Sequence, residues 1–212
     1  MLNKKSSVPL CLCASVVKEA DKILCASVVK ENENPMERLK LATVWLGGCS
    51  GCHMSLLDLD EWLIDLAAVA DLVYSPIADH KTFPAVVDLA LVEGAVANDE
   101  HLELARQVRR NSRLVVALGD CAVTGNVTAM RNPLGAVATV LQQVYVTHGD
   151  PRGVLPDAPG IVPRLLDRVL PLHATITVDL FLPGCPPAAP AIRTMLEALL
   201  RGETPPVLSR FG

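Results

Sequence analysis

Short apolar runs that stop at glycine, alternating with helical patterns, most constrain how this chain can fold. LATVWLG (41–47), VVDLALVEG (86–94), RLVVALGD (113–120) and TITVDLFLPG (175–184) read as strands, with DLVYS (71–75) as a weaker one. Runs this apolar suit strands covered on both faces. A helix is expected over about Met54–Ala70, with Leu56, Leu59, Leu63 and Leu66 as its buried stripe. Ser55 and Asp58 fit a capping box, and Asp58, Asp60 and Glu61 lie near that helix start, where the dipole favours acids. Asn98 or Asp99 can cap a helix running to about Arg110, and a further helix follows Pro133. Pro190 suits the first turn of a last helix with the stripe Ile192, Met195, Leu196, Leu199 and Leu200, which Gly202 stops. Residues 145–171 hold five prolines and three glycines and read as a long ordered loop. A loop of that length is usually functional or an interface. Strand–helix alternation of this kind implies an α/β fold. The expected form is a flavodoxin-like doubly wound parallel sheet, helices on both faces and right-handed crossovers.

Composition narrows the class. At 212 residues there is room for one domain and an appendage. Half the residues are apolar and 20% are charged, so the body is not a disordered chain. No uncharged, proline-free apolar run approaches the ~18 residues of a membrane helix. The net charge is −4, from 19 Lys and Arg against 23 Asp and Glu, which lacks the footprint of a nucleic-acid binder. Neither nucleic acid nor a membrane is therefore expected as a partner. The apolar excess instead suggests a surface hidden against another protein. Seven cysteines cannot all pair within one chain.

Residues 1–35 stand apart. CASVVKE occurs at 13–19 and again at 25–31, a period far too short for a solenoid. Cys11, Cys13 and Cys25 could be metal ligands, but no histidine or further cysteine completes a site there. A duplicated extension, or a leader ahead of a second start at Met36, is the simpler reading. Pro9 interrupts the apolar stretch after Lys4 and Lys5, and no clear cleavage site follows, so a secretory signal is poorly supported. Together with the missing twin-arginine pair, this points to the cytoplasm.

The other four cysteines share one structural address. Cys49 and Cys52 follow the first strand, Cys121 follows LVVALGD, and Cys185 follows DLFLPG. Each lies just past the C-terminal end of a strand, on the edge where open parallel sheets bind ligands. Gly47, Gly48, Gly51, Gly119, Gly184, Pro186 and Pro187 flank them. Glycine lets backbone amides approach closely and donate to sulfur, which tunes a metal cluster. Four converging thiolates could hold a tetrahedral zinc or a 4Fe–4S cluster. One CxxC and two distant lone cysteines suit the larger cubane better than paired zinc knuckles. A CxxC at a helix start is also the geometry of a thiol–disulfide oxidoreductase, but that leaves Cys121 and Cys185 unexplained. They could equally be small buried hydrophobes. FMN has no support at GGCSGC, where a flavodoxin would place a Ser/Thr-rich phosphate loop; a flavin elsewhere stays open. Without GxxxxGK[ST] or GxGxxG, nucleotide binding has no support either.

GCSGCHMSLLD, LVEGAV, GDCAVTGN and LPGCPP, in that order, resemble the small subunits of nickel–iron hydrogenases over about residues 41–200. The resemblance implies a flavodoxin-like iron–sulfur domain, taken over 36–212, with 1–35 left as the duplicated extension. In it Cys49, Cys52, Cys121 and Cys185 hold one proximal 4Fe–4S cluster. The family has a Glu-Gly after an internal strand, matched by Glu93 and Gly94, which implies Glu93 near the cluster or the partner, although it could also be an ordinary strand-end carboxylate; Gly51 and Gly184, among the flanking glycines, are further candidates beside the cluster. Asn126 stands where many relatives have glycine. With no cysteine after Cys185 and no export signal found, the chain is most similar to the single-cluster small subunit of the NAD-reducing, cytoplasmic hydrogenases. The complex I subunit has adjacent cysteines in its first motif, whereas Ser50 and Gly51 separate them here. The implied partners are a nickel–iron large subunit and iron–sulfur and flavin subunits of a diaphorase module. No acid–base catalysis is assigned to this chain. His53 is expected on a helix surface, and Trp45 and Trp62 in the core or an interface.

Overall fold

The computed structural model describes residues 38–80, 82–149 and 152–206. The duplicated extension 1–35, with Cys11, Cys13, Cys25 and the alternative start Met36, lies outside the described residues. The described residues divide into two units, Arg38–Arg193 and Thr194–Pro206.

In the larger unit the expected strands form. They are β1 (Leu39–Trp45), β2 (Ala70–Tyr74), β3 (Val87–Glu93), β5 (Ser112–Leu118) and β7 (Leu180–Leu182), with a short β4 (Val96–Asn98) and β6 (Leu165–Leu170) besides. Five of them make one sheet in the order β2-β1-β3-β5-β7. Every pairing in it is parallel. Renumbered within the sheet, that order is 2-1-3-4-5, the flavodoxin-like arrangement whose strand order reverses between β1 and β3. β3 is buried along its whole length, as its unbroken apolar run demands. Ala42, Val44, Val92, Val115 and Ala117 pack with Ala105 and Val108 of a flanking helix in the core.

Pairing register matters more to the site than strand length. Trp45 sits opposite Glu93, Glu93 opposite Leu118, and Leu118 opposite Leu182. The C-terminal ends of four strands therefore lie in one row, and the cysteine loops leave from that row.

The helices depart from expectation in informative ways. The segment after β1 is two helices, α1 (Gly51–Leu57) and α2 (Trp62–Val69). Asp60 takes a left-handed φ of 50° and breaks the run. The acids thus lead into α2 rather than α1. Ser55 is inside α1 and forms no capping box; its hydroxyl donates to the Pro187 carbonyl at 2.5 Å. Leu56, Leu59 and Leu66 stay buried across the break. α3 (Asp99–Asn111) begins as expected, with Asn98 Oδ1 accepting from the His101 N–H at 2.7 Å.

After β5 come the short helices α4 (Asp120–Thr124), α5 (Asn126–Ala129) and α6 (Val137–Leu141). The stretch expected as one long loop is not structureless. A π-helical turn runs over Gln142–Thr147, and β6 pairs antiparallel with β4. The last strand is shorter than 175–184, because the turn that follows Leu172–Ala174 occupies the start of that run. α7 (Ala189–Leu200) is the last helix, and Ile192 on it is fully buried.

In the smaller unit, the described residues Thr194–Pro206 continue this helix. Met195, Leu196 and Leu199 are buried, as the stripe predicts. Gly202, at φ 70°, ends it in a Schellman turn: Glu203 N–H bonds to the Ala198 carbonyl and Gly202 N–H to the Leu199 carbonyl. Among the described residues, no helix is long and apolar enough to cross a membrane.

Candidate metal centre

The row of strand ends sets where the loops begin, and backbone hydrogen bonds set how they meet. The loop after β1 pairs with the turn after β3, through Gly47 N–H to the Ala95 carbonyl and Ala95 N–H to the Gly47 carbonyl. Gly94 makes this approach: at φ 95°, a Cβ there would press on the Leu46 and Gly47 backbone. The loop after β5 is tied to the loop after β7. Gly119 N–H donates to the Leu182 carbonyl, Asp120 N–H to the Gly184 carbonyl, and Gly184 N–H to Asp120 Oδ1 at 2.7 Å. The Ser55 bond to Pro187 joins α1 to the same loop. Three loops that share no local sequence are thus cross-linked around one space.

Cys49, Cys52, Cys121 and Cys185 line that space, and all four are free thiols. Cys52 is buried, Cys121 half-buried, and Cys49 and Cys185 are exposed. Burial raises the Cys52 thiol well above its ordinary value, and the charges of Glu93, Cys121, Cys49 and Cys185 raise it further. Burial likewise raises Cys121; a hydrogen bond from Thr128 works against this, while Cys185, Cys49 and Glu93 add to the rise. Cys52 therefore feels the other three cysteines, and Cys121 feels Cys185 and Cys49. Four thiolates so close together in a low dielectric need a cation to neutralise them.

Several donors face the sulfurs. The Gly51 amide donates to Cys49 Sγ at 3.4 Å, the kind of contact its sequence position suggested. Gly184 instead locks the loops through Asp120 and makes no sulfur contact. Asn126 Nδ2 donates to Cys185 Sγ at 3.4 Å. Sequence reasoning missed the roles of Asn126, Thr128, Asp120 and Ser55. A Gly-Asn turn and a carboxylate beside Cys121 were the only local signals for two of them.

Glu93 ends β3 and is 1% exposed. His53 holds it from two atoms: its N–H donates to Glu93 Oε2 at 3.0 Å, and its Nδ1 contacts the same oxygen at 2.5 Å. His53 is therefore a core residue, 2% exposed, and not the surface histidine expected. Its Nε2 is buried with no hydrogen-bond partner among the described residues. Trp45 is half-exposed and faces outward rather than into the core.

These residues fit a thiolate-held cluster. Gly119 is part of the cradle: at φ 81°, a Cβ there would collide with Cys52 Sγ. No three His, Cys, Asp or Glu side chains among the described residues sit close enough to hold a single ion. A single tetrahedral zinc, whose Zn–S bonds are about 2.3 Å, needs its ligands gathered more closely than that. A thiol raised by burial also lacks the thiolate activation that disulfide exchange from Cys52 would need.

Comparison with known proteins agrees with this architecture. Residues 49–199 match the family model described as NADH ubiquinone oxidoreductase, 20 kDa subunit. The delta subunit of the NAD-reducing hydrogenase HoxS of Cupriavidus necator is 35% identical, over 82% of this chain and 86% of that protein. A subunit of the F420-non-reducing hydrogenase of Methanothermobacter marburgensis is 38% identical, over 79% of this chain. The match takes in 55% of that methanogen protein, so this chain spans about half its length. Among solved structures, a chain of an NAD+-reducing [NiFe]-hydrogenase in the H2-reduced state superposes with a TM-score of 0.79 at 40% identity. That match covers 83% of this chain and 100% of the other.

Proposed function

The chain belongs to the family of the 20 kDa subunit of NADH ubiquinone oxidoreductase and is a small subunit of the nickel–iron hydrogenase kind; on that premise we propose that it is the electron-transfer subunit of a cytoplasmic NAD-reducing hydrogenase. Cys49, Cys52, Cys121 and Cys185 hold one 4Fe–4S cluster. The observation that carries this reading is the convergence of four free thiols from three separate strand ends on one space.

When bound, such a cluster supplies one-electron chemistry between the nickel–iron centre of a large subunit and the iron–sulfur and flavin subunits of a diaphorase module. The chain's own residues provide the setting. The cysteines supply thiolates, and Gly51 and Asn126 direct N–H groups at two of the sulfurs. Asp120 and Ser55 fix the loops, so the ligand set is arranged in advance. Trp45 and Met54 flank the first two cysteines, Val127 and Met130 follow Cys121 within nine residues, and all four are exposed, Val127 and Met130 by 64% and 68%. Such an apolar collar suits a partner that covers the site and excludes water. The NAD-reducing type is favoured by the likeness to the chain of an NAD+-reducing [NiFe]-hydrogenase, at 40% identity and a TM-score of 0.79.

Anaerobic purification of the complex tests this. About four irons per chain with a broad visible absorbance, and loss of both in Cys121→Ser and Cys185→Ser, support the cluster. A colourless protein carrying one zinc or no metal overturns it. Hydrogen-dependent NADH formation by the complex tests the acceptor, and reduction of artificial dyes with no NADH would remove the diaphorase link.

A further inference from the structure

Asn126 is set apart among the residues near the thiols, because its side chain reaches from one cysteine loop to the sulfur of another. Its backbone follows Gly125 at the start of α5, close behind Cys121, while its Nδ2 reaches Cys185 Sγ, 59 residues away. It holds a left-handed φ of 38°. That conformation is uncommon outside glycine, and asparagine is among the few residues that adopt it readily. The turn is tied in place: Asn126 N–H donates to Thr124 Oγ1, whose own hydroxyl donates to the Asp120 carbonyl. The amide is therefore aimed by the backbone. The donor faces the sulfur because a carbonyl oxygen there would oppose a thiolate.

The sign of its effect follows from electrostatics. An electron added to a thiolate-held cluster makes the sulfurs more negative, and a hydrogen bond to a more negative acceptor is stronger. A donor at Cys185 therefore stabilises the reduced state over the oxidised one. The buried carboxylate of Glu93 acts in the opposite sense from the Cys52 side. We infer that Asn126 is a positioning residue that raises the reduction potential of the cluster through its N–H···S bond to Cys185. The inference rests on the reading that the four cysteines hold a cluster.

Asn126→Gly and Asn126→Asp, each compared with wild type in the anaerobically purified complex, test it. Glycine accepts the left-handed turn and deletes the donor. Aspartate keeps the shape and the turn but replaces the donor with a negative charge. The readouts are iron content and the midpoint in a redox titration followed by electron paramagnetic resonance. With full iron in both variants, the midpoint should fall in Asn126→Gly and fall further in Asn126→Asp. Full iron with an unchanged or raised midpoint in Asn126→Gly overturns the inference and leaves the cluster reading intact. A wild-type complex without iron overturns both.

Discussion

At the residue scale, one atom too many is enough to break the centre. Gly119 leaves β5 at φ 81° directly under Cys52 Sγ. Gly119→Ala must carry both an unfavourable backbone and a collision with Cys52 Sγ. The backbone alone costs about 1–3 kcal/mol. The expected result is a lower denaturation midpoint and loss of bound iron together; a variant with wild-type stability and full iron would show that the loop has another geometry. His53 teaches a different lesson. Its place beside Cys52 on a polar-looking segment suggested exposure, yet burial and the Glu93 contact make it part of the core. Its neighbour in sequence was visible, but its partner lies 40 residues away.

At the element scale, local patterns located the strands and the start of α3, and failed where the chain is bent by something distant. The apolar stripe of α1 and α2 is continuous in sequence, but the positive φ of Asp60 divides the helix. β6 was hidden because its partner β4 is three residues long and far away in sequence. The first turn of α3 has a pH dependence of its own. Burial holds His101 below its ordinary value of 6.5, with Glu100 pulling the other way. Its Nδ1 accepts from the Ala97 N–H, a bond that protonation would remove. The unfolded chain thus binds a proton that the fold resists. Stability is full above pH 6.5 and falls as the pH drops through that value towards the lowered one. Chemical denaturation on either side of pH 6.5 should show this loss in the wild type, and His101→Gln should remove that increment. An unchanged acid slope in the variant would assign the effect elsewhere.

At the scale of the whole molecule, the apolar excess acquires a location. Some of it fills the sheet, and some of it is exposed on the segments that carry or follow the cysteines, at Trp45, Met54, Val127 and Met130. A chain exposing that surface should self-associate or precipitate when produced alone, and become monodisperse when co-produced with the large subunit proposed as its partner. Size-exclusion chromatography of the two preparations checks this, and a stable monomer of the isolated chain would count against the interface. The sequence by itself determined the alternation of strand and helix, the glycines that end the strands, and which four cysteines stand at those ends, because each is a local property of backbone conformation and periodicity. Only the tertiary structure decided that Trp45, Glu93, Leu118 and Leu182 share one row, and that Ser55 meets Pro187 and Asn126 meets Cys185. Those contacts join residues up to 132 positions apart. They are set by sheet register and crossover packing, which no local run of residues encodes.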